Sequence, residues 1–100
     1  MTKQEIINIL RENRKILEQY GVKKIAIFGS FARNTAKEDS DIDLVLDIEE
    51  GRINFKTFSE LVDFLENIFG RRVDILTPSS IKNIRIKEIK ERIEKELEYV

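Results

Sequence analysis

Three acidic side chains and one Gly-Ser pair are the residues of this sequence best suited to chemistry. Asp41 and Asp43 lie in the segment 41–48, where Ile42, Leu44, Leu46 and Ile48 alternate with Asp41, Asp43, Val45 and Asp47. Such alternation predicts a strand, and residues two apart on a strand project to one side with Cα atoms roughly 6.5 to 7 Å apart. The two carboxylates therefore share a face and can converge on ions between them. Like charges held this close repel, and a divalent cation relieves the repulsion. Taken alone, the pair is also explained by a solvent-facing strand edge, where Asp discourages aggregation.

Asp74 stands in the middle of Arg72-Val73-Asp74-Ile75-Leu76, a second short β-type run. If this run lies beside 41–48, a third carboxylate joins the other two; otherwise Asp74 serves as an ion-pair partner of Arg71 or Arg72. Three acids on neighbouring strands suit two-metal phosphoryl transfer, which needs shared oxygen ligands holding ions about 3.5 to 4 Å apart. Gly29-Ser30 adds a different component. Glycine lets a backbone approach closely, and a serine hydroxyl with the N–H groups that follow it can bind phosphate, although the same pair also makes a plain turn. Arg33, one turn on, is placed either to neutralise a polyphosphate or to sit solvated at the surface.

The elements that must position these residues follow from periodicity. Thr2 and Glu5 have capping-box spacing, and Ile6, Ile9, Leu10, Ile16, Leu17 and Tyr20 predict one helix over about 3–19, stopped by Gly21. Val22–Phe28 reads as a largely buried strand closed by the Gly29-Ser30 corner. One helical turn over 31–33, a polar loop over 34–40 and the strand 41–48 come next. Phe55, Phe58, Leu61, Val62, Leu65, Ile68 and Phe69 then predict an amphipathic helix ending at Gly70. After the strand 72–76, Pro78 and Ser79-Ser80 reset the chain before one broken or two short helices, and Tyr99-Val100 is a candidate edge strand. The expected fold is α/β (α+β), a small mixed sheet flanked by helices, in a single domain over 1–100.

Composition narrows the chemistry further. Eighteen basic residues against nineteen acidic ones leave a net charge of −1, so no global basic field recruits nucleic acid, and any anion must be bound locally. With no cysteine and no histidine, disulfides and the usual zinc ligands are excluded, while oxygen-liganded magnesium is not. No run of about 18 to 20 apolar residues occurs, which makes a cytoplasmic protein without membrane contact the expectation. Tyr20 and Tyr99 end apolar patterns and are assigned to core or edge packing.

Taken together, Gly29-Ser30-Phe31-Ala32-Arg33 and Ser40-Asp41-Ile42-Asp43-Leu44 form the pattern G-S, ten residues, D-x-D. This resembles the DNA polymerase β-like nucleotidyltransferase superfamily, and in particular its minimal nucleotidyltransferases, the antitoxin partners of HEPN-domain toxins. The resemblance continues through Asp74 and covers most of the chain. Asn34 departs from it, since many relatives carry glycine after the arginine. The resemblance implies a nucleotidyltransferase fold. It also implies two magnesium ions on Asp41 and Asp43, with Asp74 completing the site for the one that activates the acceptor. Gly29, Ser30, Arg33 and Ser40 would bind the nucleotide, ATP, whose α-phosphorus the acceptor oxygen attacks as pyrophosphate leaves.

Few residues are left over to hold an acceptor, so a folded protein must supply its own binding surface. The resemblance implies a tyrosine hydroxyl on a HEPN-domain toxin, modified with AMP and thereby neutralised, within a hetero-oligomer of the two. Two rival functions stand beside this one: a non-catalytic antitoxin acting by complex formation, and a nucleotidyltransferase with a small-molecule acceptor.

Overall fold

The computed structural model describes residues 1–100. The chain runs through α1 (Lys3–Glu12), α2 (Arg14–Gln19), β1 (Val22–Phe28), α3 (Gly29–Ala32), β2 (Ile42–Ile48) and α4 (Phe55–Phe69). It continues through β3 (Val73–Leu76), α5 (Pro78–Lys82), α6 (Lys87–Glu96) and β4 (Glu98–Tyr99). The four strands form one mixed sheet in the order β3-β2-β1-β4, in which β1 is antiparallel to β2 and β4, and β2 is parallel to β3.

The period-2 patterns send alternate side chains to opposite faces. Ile25 and Ile27 of β1, Ile42, Leu44 and Leu46 of β2, and Val73 of β3 enter the larger core, closed by Ile6, Ile7 and Leu10 of α1, Leu17 of α2, and Leu61, Leu65 and Phe69 of α4. The α4 residues recur every fourth position, so one stripe of that helix meets the sheet. Each such side chain contributes about 1.5 to 3 kcal/mol on leaving water. On the other face Ala26, Phe28 and Val45 meet Ile81 of α5 and Ile93 of α6 in a much smaller cluster, edged by the partly buried Leu76, Ile84 and Leu97.

Local chemistry explains where the expected elements shift. The single helix expected over 3–19 is two, divided at Asn13, whose side-chain amide donates to the Ile9 carbonyl at 2.8 Å and so competes with the helix's own bonding. The Thr2 cap forms, accepting from the Glu5 amide at 3.1 Å, but Glu5 takes the Thr2 hydroxyl rather than its amide, so the box is only half made. Asn54 and Thr57 make a complete box at the start of α4, and Gly70 ends that helix in the left-handed region at φ 66°. Phe55 belongs to α4 yet lies outside its buried stripe, 87% exposed. Pro78 and the two serines do not precede a helix but open one: Thr77 caps α5 reciprocally with Ser80, and Pro78 occupies its first turn. The expected edge strand is β4, one residue earlier than 99–100, and Tyr99 is 63% exposed on it. Tyr20 packs against Phe64.

Candidate active site

The acidic face expected of β2 lies where the smaller cluster runs out, at the start of β2 and β3 and the end of β1. Parallel pairing places Asp43 directly opposite Asp74, and antiparallel pairing places Phe28 opposite Asp43 from the other side. Asp41, two residues before Asp43, precedes the strand on the same side. These three carboxylates line an open cleft of about 430 Å³ together with Gly29, Ser30, Arg33, Ser40, Arg92 and Glu96. All seven site residues expected from the sequence are therefore brought together.

The turn over the acids is held by glycine. Gly29 adopts φ 75°, and a Cβ built on it would stand 2.9 Å from the Asp43 Cγ, so no other residue fits without moving the carboxylate. Helix α3 begins at this glycine rather than at Phe31, and the Ser30 hydroxyl makes no hydrogen bond within the chain. Asn34 follows at φ 61°, the left-handed conformation that asparagine tolerates better than other non-glycine residues. Its departure from glycine thus preserves the turn. Ser40 accepts from the Lys37 amide through Oγ at 2.8 Å, so its hydroxyl closes the loop leading into Asp41.

Arg71 is not an ion-pair partner of Asp74. Its guanidinium donates to the Ser40 carbonyl at 3.1 Å and lies over the Phe31 ring, 5.3 Å from the centroid. It thereby ties the start of β3 to the loop before Asp41 and to α3. Asp41, Asp43 and Asp74 make no salt bridge and no hydrogen bond through their carboxylates. Their mutual charge shows at Asp43, whose carboxyl is pushed up to about 6, first by burial, then by Asp74 and Asp41, with Glu96 adding and Arg33 opposing.

Hard oxygen donors with no cation of their own suit magnesium, and uncompensated repulsion is what such an ion removes. The three side chains do not already form a closed cage: no group of three or more acidic residues stands at ready metal-holding spacing. The strand register fixes their backbones, and side-chain rotation must bring the oxygens in.

Two charged residues of the cleft were missed from sequence. Glu96 and Arg92 come from the end of α6, where the run of alternating charges reads as a solvated helix face. Glu96 accepts from the Gly29 amide at 3.1 Å and from Arg33 at 2.7 Å. Arg33 is thus exposed on one side but already paired with an anion on the other, at the edge of the cleft. No signal in the sequence pairs position 96 with 29 and 33.

Comparison with known proteins agrees with this geometry. Residues 4–100 match the family model described as a nucleotidyltransferase domain. A candidate protein adenylyltransferase of Methanocaldococcus jannaschii is 44% identical over 101 residues, covering 99% of this chain and 98% of its own. The protein adenylyltransferase MntA of Thermococcus cleftensis is 45% identical over 84 residues, 83% of this chain and 84% of its own. The solved structure of a candidate minimal nucleotidyltransferase superposes with a TM-score of 0.74 at 30% identity, over 98% of this chain and 95% of that one. A toxin–antitoxin structure with AMP-PNP shares the fold at a TM-score of 0.63 and 19% identity, over 99% of this chain and 72% of that one. No helix of the chain is long and apolar enough to cross a membrane.

Proposed function

This chain belongs to the nucleotidyltransferase domain family, in its minimal branch, and from that premise we propose that it transfers AMP from ATP to a tyrosine hydroxyl of a HEPN-domain toxin and so neutralises it. The observation that carries the proposal is the convergence of three unpaired aspartates beneath the Gly29-Ser30 turn. Support for a protein acceptor comes from the relatives named as protein adenylyltransferases, and for a toxin from the toxin–antitoxin structures that share the fold. The cleft is open, so the acceptor's own surface must complete the enclosure. An ATP-dependent reaction would place the protein in the cytoplasm, where that nucleotide is available.

In the proposed reaction Gly29 and Ser30 bind the β- and γ-phosphates through the turn amide and the free hydroxyl. Arg33 and Ser40 border the nucleotide on either side of that turn. Asp41 and Asp43 would hold two magnesium ions, with Asp74 a further ligand of one, supplying charge that steadies the attacking and leaving oxygens. Asp74 is the exposed carboxylate of the three, the one an incoming acceptor could reach. It orients the acceptor hydroxyl and draws off its proton. The acceptor oxygen forms a bond to the α-phosphorus, the bond from that phosphorus to the bridging oxygen breaks, and pyrophosphate leaves in line.

The test is to incubate the purified protein with ATP labelled at the α-phosphate, magnesium and the protein encoded beside it. Label on a tyrosine of that partner is the expected result. A tight complex that carries no label would instead establish a non-catalytic antitoxin, and label confined to small molecules would establish a small-molecule acceptor.

A further inference from the structure

We propose that Glu96 is an internal competitor for the nucleotide's phosphates, a carboxylate latch that occupies the phosphate-binding groups and is displaced when nucleotide binds. This rests on the nucleotide-binding role proposed above for Gly29 and Arg33. Both oxygens of Glu96 are engaged: Oε2 accepts from the Gly29 amide at 3.1 Å, while Oε1 lies 2.7 Å from the Arg33 guanidinium and 3.7 Å from Nε of Arg92. The side chain is only 10% exposed. An oxyanion thus already fills the donors that a phosphate would use, and it engages both arginines of the cleft.

Charge makes shared occupancy unfavourable. The cleft is lined by four carboxylates, Asp41, Asp43, Asp74 and Glu96, against the two guanidinium groups of Arg33 and Arg92. Metal ions offset the three aspartates, but Glu96 lies on the arginine side, where a polyphosphate would bring more negative charge against it. One of the two anions must leave.

The element that carries Glu96 is built to give way. Glu96 is the last residue of α6, where the exposed carbonyls disfavour a carboxylate, so its pairing with Gly29 and Arg33 is what holds it. That helix has no side-chain cap at its start and buries one residue, Ile93. Beyond Glu96 the backbone leaves the helix at Leu97, with ψ 125°, for the two-residue strand β4. Loss of the last helical turn withdraws Glu96 and frees Gly29 and Arg33 without disturbing the larger core.

A competitor and a clamp that merely braces the turn make opposite predictions for Glu96→Gln. Gln keeps the size and one acceptor but lacks the charge. By calorimetric titration with magnesium and the non-hydrolysable analogue AMP-PNP, the variant should bind about tenfold tighter than the parent, the order of effect of removing a charge-assisted pairing. Unchanged or weaker binding would overturn the latch. Should the variant fail to fold, amide hydrogen exchange on the unaltered protein decides: AMP-PNP should speed exchange at Leu97, whose amide bonds the Ile93 carbonyl at the helix end. Slowed or unchanged exchange there, with AMP-PNP bound, would overturn it too. Absence of binding by the unaltered protein would remove the nucleotide site itself, an outcome distinct from bound nucleotide that leaves Glu96 in place.

Discussion

The two faces of the sheet are made from the same strands and do opposite work. Leu44 and Asp43 are neighbours on β2, yet Leu44 is fully buried between the sheet and its helices, while Asp43 is half-buried among other acids. Fifteen buried residues close the first face, including three turns of α4 and the first helix pair. Five close the second, which leaves the starts of β2 and β3 uncovered. The first face can hold the strand register by itself. That excess of packing allows the second face to hold three carboxylates close together, a local cost of the kind functional sites tolerate.

If this division of labour is correct, substitutions at adjacent positions must separate activity from stability. Asp43→Asn should have the largest effect on activity, a loss on the order of 100- to 1000-fold in metal-dependent transfer of AMP, since metal-held charge stabilisation is worth several kcal/mol. Its melting temperature should not fall. Full activity in a folded variant would remove Asp43 from the site. Leu44→Ala should behave in the reverse way, losing about 2 to 5 kcal/mol of stability by urea unfolding, as a cavity opens beneath α4. At low temperature its folded fraction should still bind AMP-PNP with magnesium. A variant unfolding with less than half that loss would mean that the larger core does not carry the register alone.

How much of this was legible depends on the range of the interaction. Period-2 patterning sufficed for β1 and β2, because which residues face which way is set within a few positions. It put Asp41 and Asp43 on one face, with Leu44 opposite. Asp74 was legible as a strand residue, but its meeting with Asp43 depends on β3 lying parallel beside β2, a pairing across some thirty residues that periodicity cannot see. Arg71 illustrates the limit. Its position beside Asp74 in sequence suggested an ion pair, whereas its actual partners, the Ser40 carbonyl and the Phe31 ring, are 31 and 40 positions away. Glu96 is the extreme case, joined to Gly29 across 67 positions from within an ordinary charged helix. The break at Asn13 is different, a local competition between side chain and backbone hidden by an otherwise continuous apolar pattern.

The smallest effect sharpens the comparison most, because it measures the strain on the acidic face directly. The Asp43 carboxyl is pushed up to about 6 in the folded protein, against 3.8 without that environment. Between these values the folded state holds the proton and the unfolded state releases it. Stability contributed by this group is therefore greatest below pH 4 and lost as pH rises through 6. A rise of that size corresponds to at most about 3 kcal/mol, and exposure of a half-buried carboxylate to solvent reduces it to about 1 kcal/mol. Asparagine at this position has no charge to lose. In metal-free buffer Asp43→Asn should accordingly be more stable than the parent by about 1 kcal/mol at pH 7.5, with the difference closing by pH 4. Because every other carboxylate is common to both proteins, their titrations largely cancel in the comparison. Magnesium at pH 7.5 should stabilise the parent more than the variant, since an ion bound only by the folded state adds to its stability. A difference that is the same at both pH values, or a parent more stable than the variant at pH 7.5 without metal, would show that the acidic face carries no stored repulsion and that its three aspartates are already compensated.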